Sequence, residues 1–349
     1  DPWTLVINKS LTVEGGYSTE DDETWDDPDP VEHPTVLDAQ SLGGVVYMSG
    51  NSDITLRYLT FTGGRRSSTA GLYASSGTRV NVEHCTISGN TATGFDGGGL
   101  TAAAGSTVTI FGSLIQNNSA GRIGGGAYTA GGPLTLISNT IIGNSALRGG
   151  AVGSWGGTLD LRFNTLAGNT ITTGGYGATI YDQYGTIRVT ANLFKKMDGS
   201  NSCTFLVSTV VSGGFNYFDD GGCNLGVAPA GRPDVKNAFF ELGELDYNGG
   251  PTQNFLPAAT VSNPVLDVIP VNACEEILGT TPLDQRGRLR PSLGWETHEN
   301  WCDPGSVERG KEILAVCGLP LDREAEGGPR GRCRYWSVAQ AMKTAADGD

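Results

Sequence analysis

The sequence predicts an all-β chain: a single-stranded parallel β-helix with three short strands per coil, closed by a disulfide-stabilised C-terminal cap. Three observations carry this. An apolar triplet recurs along the first two thirds of the chain, glycine supplies 53 of 349 residues, and all but one of the seven cysteines lie from Cys203 onward.

The triplets are Ile54/Leu56/Phe61, Val80/Val82/Ile87, Val108/Ile110/Ile115, Leu134/Leu136/Ile141, Leu159/Leu161/Leu166 and Ile187/Val189/Phe194. Each has the spacing i, i+2, i+7. The i, i+2 step is the strand period, so both side chains face one way. Reaching i+7 requires a bend between two strands. A third segment follows a Gly-rich loop in each repeat, as in Gly71-Leu72-Tyr73-Ala74 and Gly99-Leu100-Thr101-Ala102. No such repeat buries its apolar face alone, whereas stacked coils share one core. Seven or eight coils are expected, with Lys9–Gly15 and Thr35–Gln40 as earlier, less regular ones.

Two polar columns test the stacking. At i+5 stand Leu59, Cys85, Ser113, Asn139, Asn164 and Asn192, read as an amide ladder at a bend. At i+10 stand Asn90, Asn118, Asn144 and Asn169, read as left-handed turn residues. On the outer face, Arg57 and Glu83, and likewise Asp160 and Arg188, are expected to face each other on neighbouring coils. The third strand's outward column is read as Val46, Tyr73, Thr101, Tyr128, Val152 and Thr179, a flat uncharged strip. It is inert, or it stacks on a glycan or a partner through Tyr73 and Tyr128.

Composition excludes several classes. Charge is 23 − 37 = −14, which disfavours a nucleic-acid partner. No apolar run reaches the ~18–20 residues of a membrane span. Asp1 in first position is read as the start of a mature or trimmed chain. Cys203, Cys223, Cys274, Cys302, Cys317 and Cys333 read as three disulfides of an oxidising compartment. Chain order suggests 203–223, 274–302 and 317–333 among the possible connectivities. Cys85, in the inward column, is expected to be a buried free thiol.

Catalytic motifs are scarce. His33, His84 and His298 sit in unrelated segments, which gives a triad or zinc site little support. A polysaccharide lyase needs a base and neutralising groups; Asp182, Tyr184, Lys195, Lys196 and Asp198 lie on adjacent coils. A glycosidase would need two acids, for which Asp160 and Asp182 are conceivable. No cofactor is implied beyond a possible Ca²⁺ on the acidic run that contains Asp26, Asp27 and Asp29.

The C-terminal half carries Asn248-Gly-Gly-Pro-Thr252, Asn263-Pro-Val-Leu-Asp267, Asp284-Gln-Arg-Gly-Arg-Leu-Arg-Pro291 and Cys302-Asp-Pro-Gly-Ser-Val-Glu308. With Lys9-Ser-Leu-Thr-Val-Glu-Gly-Gly-Tyr17, these runs resemble the choice-of-anchor Q family of bacterial surface proteins, over about residues 5–310. The resemblance implies a secreted, right-handed parallel β-helix at the cell surface. It also implies partners among surface or extracellular proteins or cell-surface glycans. Residues 311–349 depart from it, with a Cys pair and no sorting signal or apolar tail. The organisation expected is β-helix over 1–225, cap over 226–310 and tail over 311–349. Asp267, Asp284, Arg286, Arg290, Asp303 and Glu308 are expected to close the end of the rod through buried charge-assisted bonds. The leading functional expectation is a non-enzymatic surface rod for adhesion, coating or assembly. The alternatives are a lyase or glycosidase acting on acidic glycans, and a glycan-binding module.

Overall fold

The computed structural model describes residues 2–19, 28–196, 203–260, 262–279, 282–291 and 301–309. It is a right-handed parallel β-solenoid of about seven turns. Cys317 and Cys333 lie outside the described residues.

Among these residues three sheets of eight strands run the length of the rod. Sheet I begins at Trp3–Ile7 and ends at Cys203–Leu206; sheet II runs from Leu11–Glu14 to Thr209–Gly214; sheet III from Thr35–Asp38 to Tyr217–Phe218. All pairs within them are parallel, and the triplets meet in register: Ile54 on Val80, Val80 on Val108, Val108 on Leu134, Leu134 on Leu159, Leu159 on Ile187. These residues, with Leu56, Val82, Ile110 and their equivalents, are fully buried in one core. A fourth, five-stranded sheet IV, from Arg65–Arg66 to Thr170–Tyr176, forms inside the Gly-rich loops. Its inward side chains are Ala92, Ala120 and Ala146, small enough for the narrow corner between sheets III and I.

The i+5 ladder is continuous. Asn139 donates from its backbone N–H and from Nδ2 to Asn164 Oδ1, both at 3.0 Å. Asn164 repeats this onto Asn192, and Asn192 onto Asn216. Each amide also donates to a backbone carbonyl, Asn164 to Leu136 at 2.8 Å. The i+10 column behaves identically: Asn90, Asn118, Asn144 and Asn169 are chained by side-chain bonds of 3.0 Å. Its asparagines are not the left-handed residues. The position before each bend amide takes that conformation: Ser138 (φ 54°) and Phe163 (φ 53°) at i+4, and Gly89, Asn117, Gly143 and Gly168 at i+9. That twist aims the next amide inward, where it satisfies the bend's backbone.

Cys203–Cys223 and Cys274–Cys302 form the two described disulfides. The first ties the last coil to a turn whose Cys223 and Leu225 are buried against the end of the core. The charges of residues 267–308 do not close that end. The described residues between 247 and 309 run back along the flank at the corner between sheets II and III. Ile269, Ala273 and Cys274 pack on Phe163, Ala191 and Phe215. Thr252 donates to Gly112 O (2.9 Å), Thr140 donates to Gln285 Oε1 (2.6 Å), and the Ser306 N–H donates to Thr165 Oγ1 (3.0 Å). The reason is the bend column itself: apolar left-handed residues such as Phe163 point outward there and need a cover.

Candidate functional site

The flank strap contains the densest buried charge. Arg290, 4% exposed, donates to the Asp303 and Gly305 carbonyls at 2.7 Å each and to Glu308 Oε2 at 3.2 Å. Its guanidinium sits 4.6 Å from the Phe163 ring. Arg286 pairs with Asp284 at 2.8 Å. Burial, then the neighbouring Glu308 charge, pushes the Asp303 carboxyl well above its ordinary range. Asp303 Oδ1 accepts the Asp267 N–H at 2.6 Å. This network ties the strap's own segments together and touches the coils through the Arg290–Phe163 contact, while Thr252, Gln285 and Ser306 make the hydrogen bonds to the rod.

The acids and bases singled out for polysaccharide cleavage are not assembled. Asp182 points into the core and is 0% exposed. One oxygen accepts the Gly185 N–H at 3.1 Å; the other has no hydrogen-bond partner, and neither has Ser154 Oγ on the adjacent coil. Tyr184 lies outside, 55% exposed, its ring edge-on to Trp155 at 5.7 Å. Lys195 and Lys196 belong to sheet III and its exit, where they pair with Asp219 (3.4 Å) and Asp220 (3.6 Å). Asp198 lies outside the described residues. Asp160 is held by Arg162 on its own strand at 2.5 Å rather than by Arg188 opposite it. Arg57 and Glu83 do pair, at 2.6 Å.

Asp26 and Asp27 also lie outside the described residues. Asp29 Oδ1 caps a turn, accepting the Val31 and Glu32 N–H groups at 3.0 Å. Among the described residues no three His, Cys, Asp or Glu side chains are grouped to hold a metal. Cys85 is a buried free thiol, and burial pushes its pKa up to about 12.

The outward column of sheet I is the face with binding character, and its true register differs from the expected one. Val46 and Val152 are fully buried; the outward residues are Tyr47, Tyr73, Thr101, Tyr128, Gly153 and Tyr181. The Gly-rich loops vary in length, and a one-residue slip exchanges faces in a strand. Tyr73 and Tyr128 therefore share a column but not an environment. Tyr128 is 6% exposed, packed with Ile123 and Tyr181, and burial raises its phenol pKa. Tyr73 is half-buried and stacks on Tyr47, with centroids 5.5 Å apart and planes 3° apart.

Trp3 completes the group, 5.6 Å from Tyr47 and 6.3 Å from Tyr73. Gly44 makes room for it, because a Cβ there would lie 2.4 Å from the indole. A shallow hollow of about 180 Å³ adjoins Trp3, lined also by Thr4, Asp38, Gln40 and Leu42. The three half-buried rings and the polar-edged hollow that shares Trp3 with them form the candidate site. Trp3 and Tyr47 were missed from sequence. Trp3 precedes the regular repeats, and the variable loop before Gly44 sets Tyr47 one position from the column the repeat predicts.

A family model described as "Right handed beta helix region" matches residues 43–225. The chain belongs to that family. The match covers the regular coils, from the second strand of sheet I to the turn carrying Cys223. No curated protein and no solved structure matches the chain. Among the described residues of this β-helix, no helix is long and apolar enough to cross a membrane.

Proposed function

We propose that this β-helix is a non-catalytic extracellular or cell-surface adhesion rod that holds a glycan against Trp3, Tyr47 and Tyr73. The observation that carries the reading is the aromatic group itself. Flat apolar rings with polar edges suit the C–H faces and hydroxyls of a sugar. The adjoining hollow adds Thr4, Asp38 and Gln40 for hydroxyl contacts. Two disulfides fit an oxidising compartment. The runs Asn248–Thr252, Asp284–Pro291 and Cys302–Glu308 support placing the chain among the choice-of-anchor Q surface proteins, with residues 226–310 as a unit that braces the rod.

The test is binding to a panel of immobilised cell-wall and matrix glycans, with Trp3→Ala and Tyr73→Ala as comparisons. Each lost ring is expected to weaken binding about 2- to 13-fold, as stacking of ~0.5–1.5 kcal/mol implies. Binding that ignores both substitutions contradicts the reading. So does the release of unsaturated products from a uronate polymer.

A further inference from the structure

Where sheet I turns into sheet II, one inward column changes character along the rod. Its register reads Ala74, Ala102, Thr129, Ser154, Asp182 and Phe205. The first two are apolar, and the next three carry oxygens into the core. Thr129 is satisfied within its own turn, where its hydroxyl donates to Gly132 O. Ser154 and Asp182, both 0% exposed, are not. Asp182 Oδ2 accepts the Gly185 N–H at 3.1 Å, while Asp182 Oδ1 and Ser154 Oγ have no hydrogen-bond partner.

These two oxygens border one space. Gly185 follows Asp182 by three residues, and the place its Cβ would take lies 2.4 Å from Asp182 Oδ1, 2.9 Å from Ser154 Oγ and 2.7 Å from Gly157 O. The Gly157 carbonyl accepts the Thr186 N–H at 2.9 Å and keeps a second lone pair. A carboxylate, a hydroxyl and a carbonyl therefore converge from two neighbouring coils in front of one glycine. None of the ion pairs among the described residues includes Asp182. A charge buried this deeply is ordinarily paired or bound to a metal, because desolvation without a countercharge is costly.

The donor set decides which ion fits. Oxygens alone suit a hard cation, not the metals that thiolate and imidazole select. The set carries one negative charge, which a monovalent ion neutralises. Ca²⁺ would leave a net positive charge in the core, and it takes about six to eight oxygens. A buried water would meet the hydrogen-bonding needs but leave the carboxylate uncompensated.

We propose that Asp182 Oδ1, Ser154 Oγ and Gly157 O bind an alkali-metal cation, sodium or potassium, between two neighbouring coils beneath the corner of sheets I and II. The ion ties one coil to the next, so the rod's stability depends on which cation is present and not on ionic strength alone.

The experiment follows thermal unfolding of the full chain in sodium, potassium and choline chloride at one ionic strength of about 0.15 M. Choline screens surface charge equally but is too bulky for the site. The melting temperature is expected to be ~2–5 °C higher in the sodium or the potassium salt, the shift for a site about ten-fold above its dissociation constant in a chain of this size. The more stabilising ion is the occupant. Asp182→Asn removes the charge and Gly185→Ala puts a methyl group into the space; each should abolish the difference. Arg188→Ala, on the outward face of the next strand, should keep it. Equal melting in all three salts overturns the proposal in favour of a bridging water. A difference that survives in Asp182→Asn overturns it by placing the ion elsewhere. Stabilisation by micromolar Ca²⁺ that is lost in Asp182→Asn overturns the monovalent assignment. If neither core variant folds, sodium and potassium NMR linewidths measured on the native protein decide. One of them should broaden beyond its value with the urea-unfolded chain, and broadening of neither overturns the proposal.

Discussion

Replacing Asn164 by Ala tests how much the amide ladder contributes. Asn164 is fully buried and makes four side-chain bonds: two accepted from Asn139, one donated to Leu136 O and one to Asn192 Oδ1. Its neighbours are not affected equally. Asn139 Nδ2 keeps its bond to Ile110 O, and Asn192 Oδ1 keeps the Asn164 backbone N–H. The Asn139 N–H loses its acceptor and is left buried and unpaired. That orphan costs about 1–3 kcal/mol, and each weakened bond adds about 0.5–1. The sum is ~3–5 kcal/mol, a large fraction of a typical stability. Denaturant unfolding followed by circular dichroism, comparing midpoints at constant m, is the assay. Asn81→Ala, on the outward face of sheet II, is the control, expected within ~0.5 kcal/mol. A loss below ~1 kcal/mol for Asn164→Ala would refute the reasoning, because it would mean that water or a relaxed bend satisfies the Asn139 N–H.

Three further outcomes are expected. His84 is packed between Tyr58 and Phe111 and lies against the Gln285 backbone of the strap; burial lowers its pKa from 6.5, against the opposing pull of Glu83 and Asp284. The folded protein therefore takes up this proton less readily than the unfolded chain. Stability should fall as pH drops below ~6.5, and His84→Asn, which tolerates the left-handed φ, should flatten that slope in a melting-temperature series. Arg290→Ala should strip a sealed pair whose side chains are 0% and 1% exposed, cost ~3–5 kcal/mol, and expose residues 247–309 to limited proteolysis before the coils are cut. With its pKa pushed up to about 12, Cys85 should resist alkylation at pH 8 until the rod unfolds, as peptide mapping would report.

The spacing i, i+2, i+7 was enough to predict the coils, because two of its positions share a strand face and the third follows a fixed-length bend. Ile54 to Ile187 stack accordingly. The inward amides were legible for the same reason. The left-handed residue before each amide was not, because Tyr58, His84, Ser138 and Phe163 share no residue type. Sheet IV was hidden by its irregular loops, and the same irregularity slipped the register of sheet I and concealed Tyr47. The strap's course along the flank was not legible either. Its buried charges announce that they are paired, but not where the pairs lie. Of the candidate site, Tyr73 was read from sequence. Trp3 depends on which loops come together, a matter of tertiary packing.

The central claim, that consecutive coils lie in one exact register, is tested most directly by cysteine trapping on the outer face of sheet II. Asp53 and Arg79 are register partners, and Thr107 is the partner of Arg79 one coil further on. Under mild oxidation Asp53→Cys with Arg79→Cys, at ~4.8 Å between strands, should cross-link. Asp53→Cys with Thr107→Cys, at twice that separation, should not. A cross-link in the second variant and none in the first would contradict the stacking on which the ladders and the binding face depend.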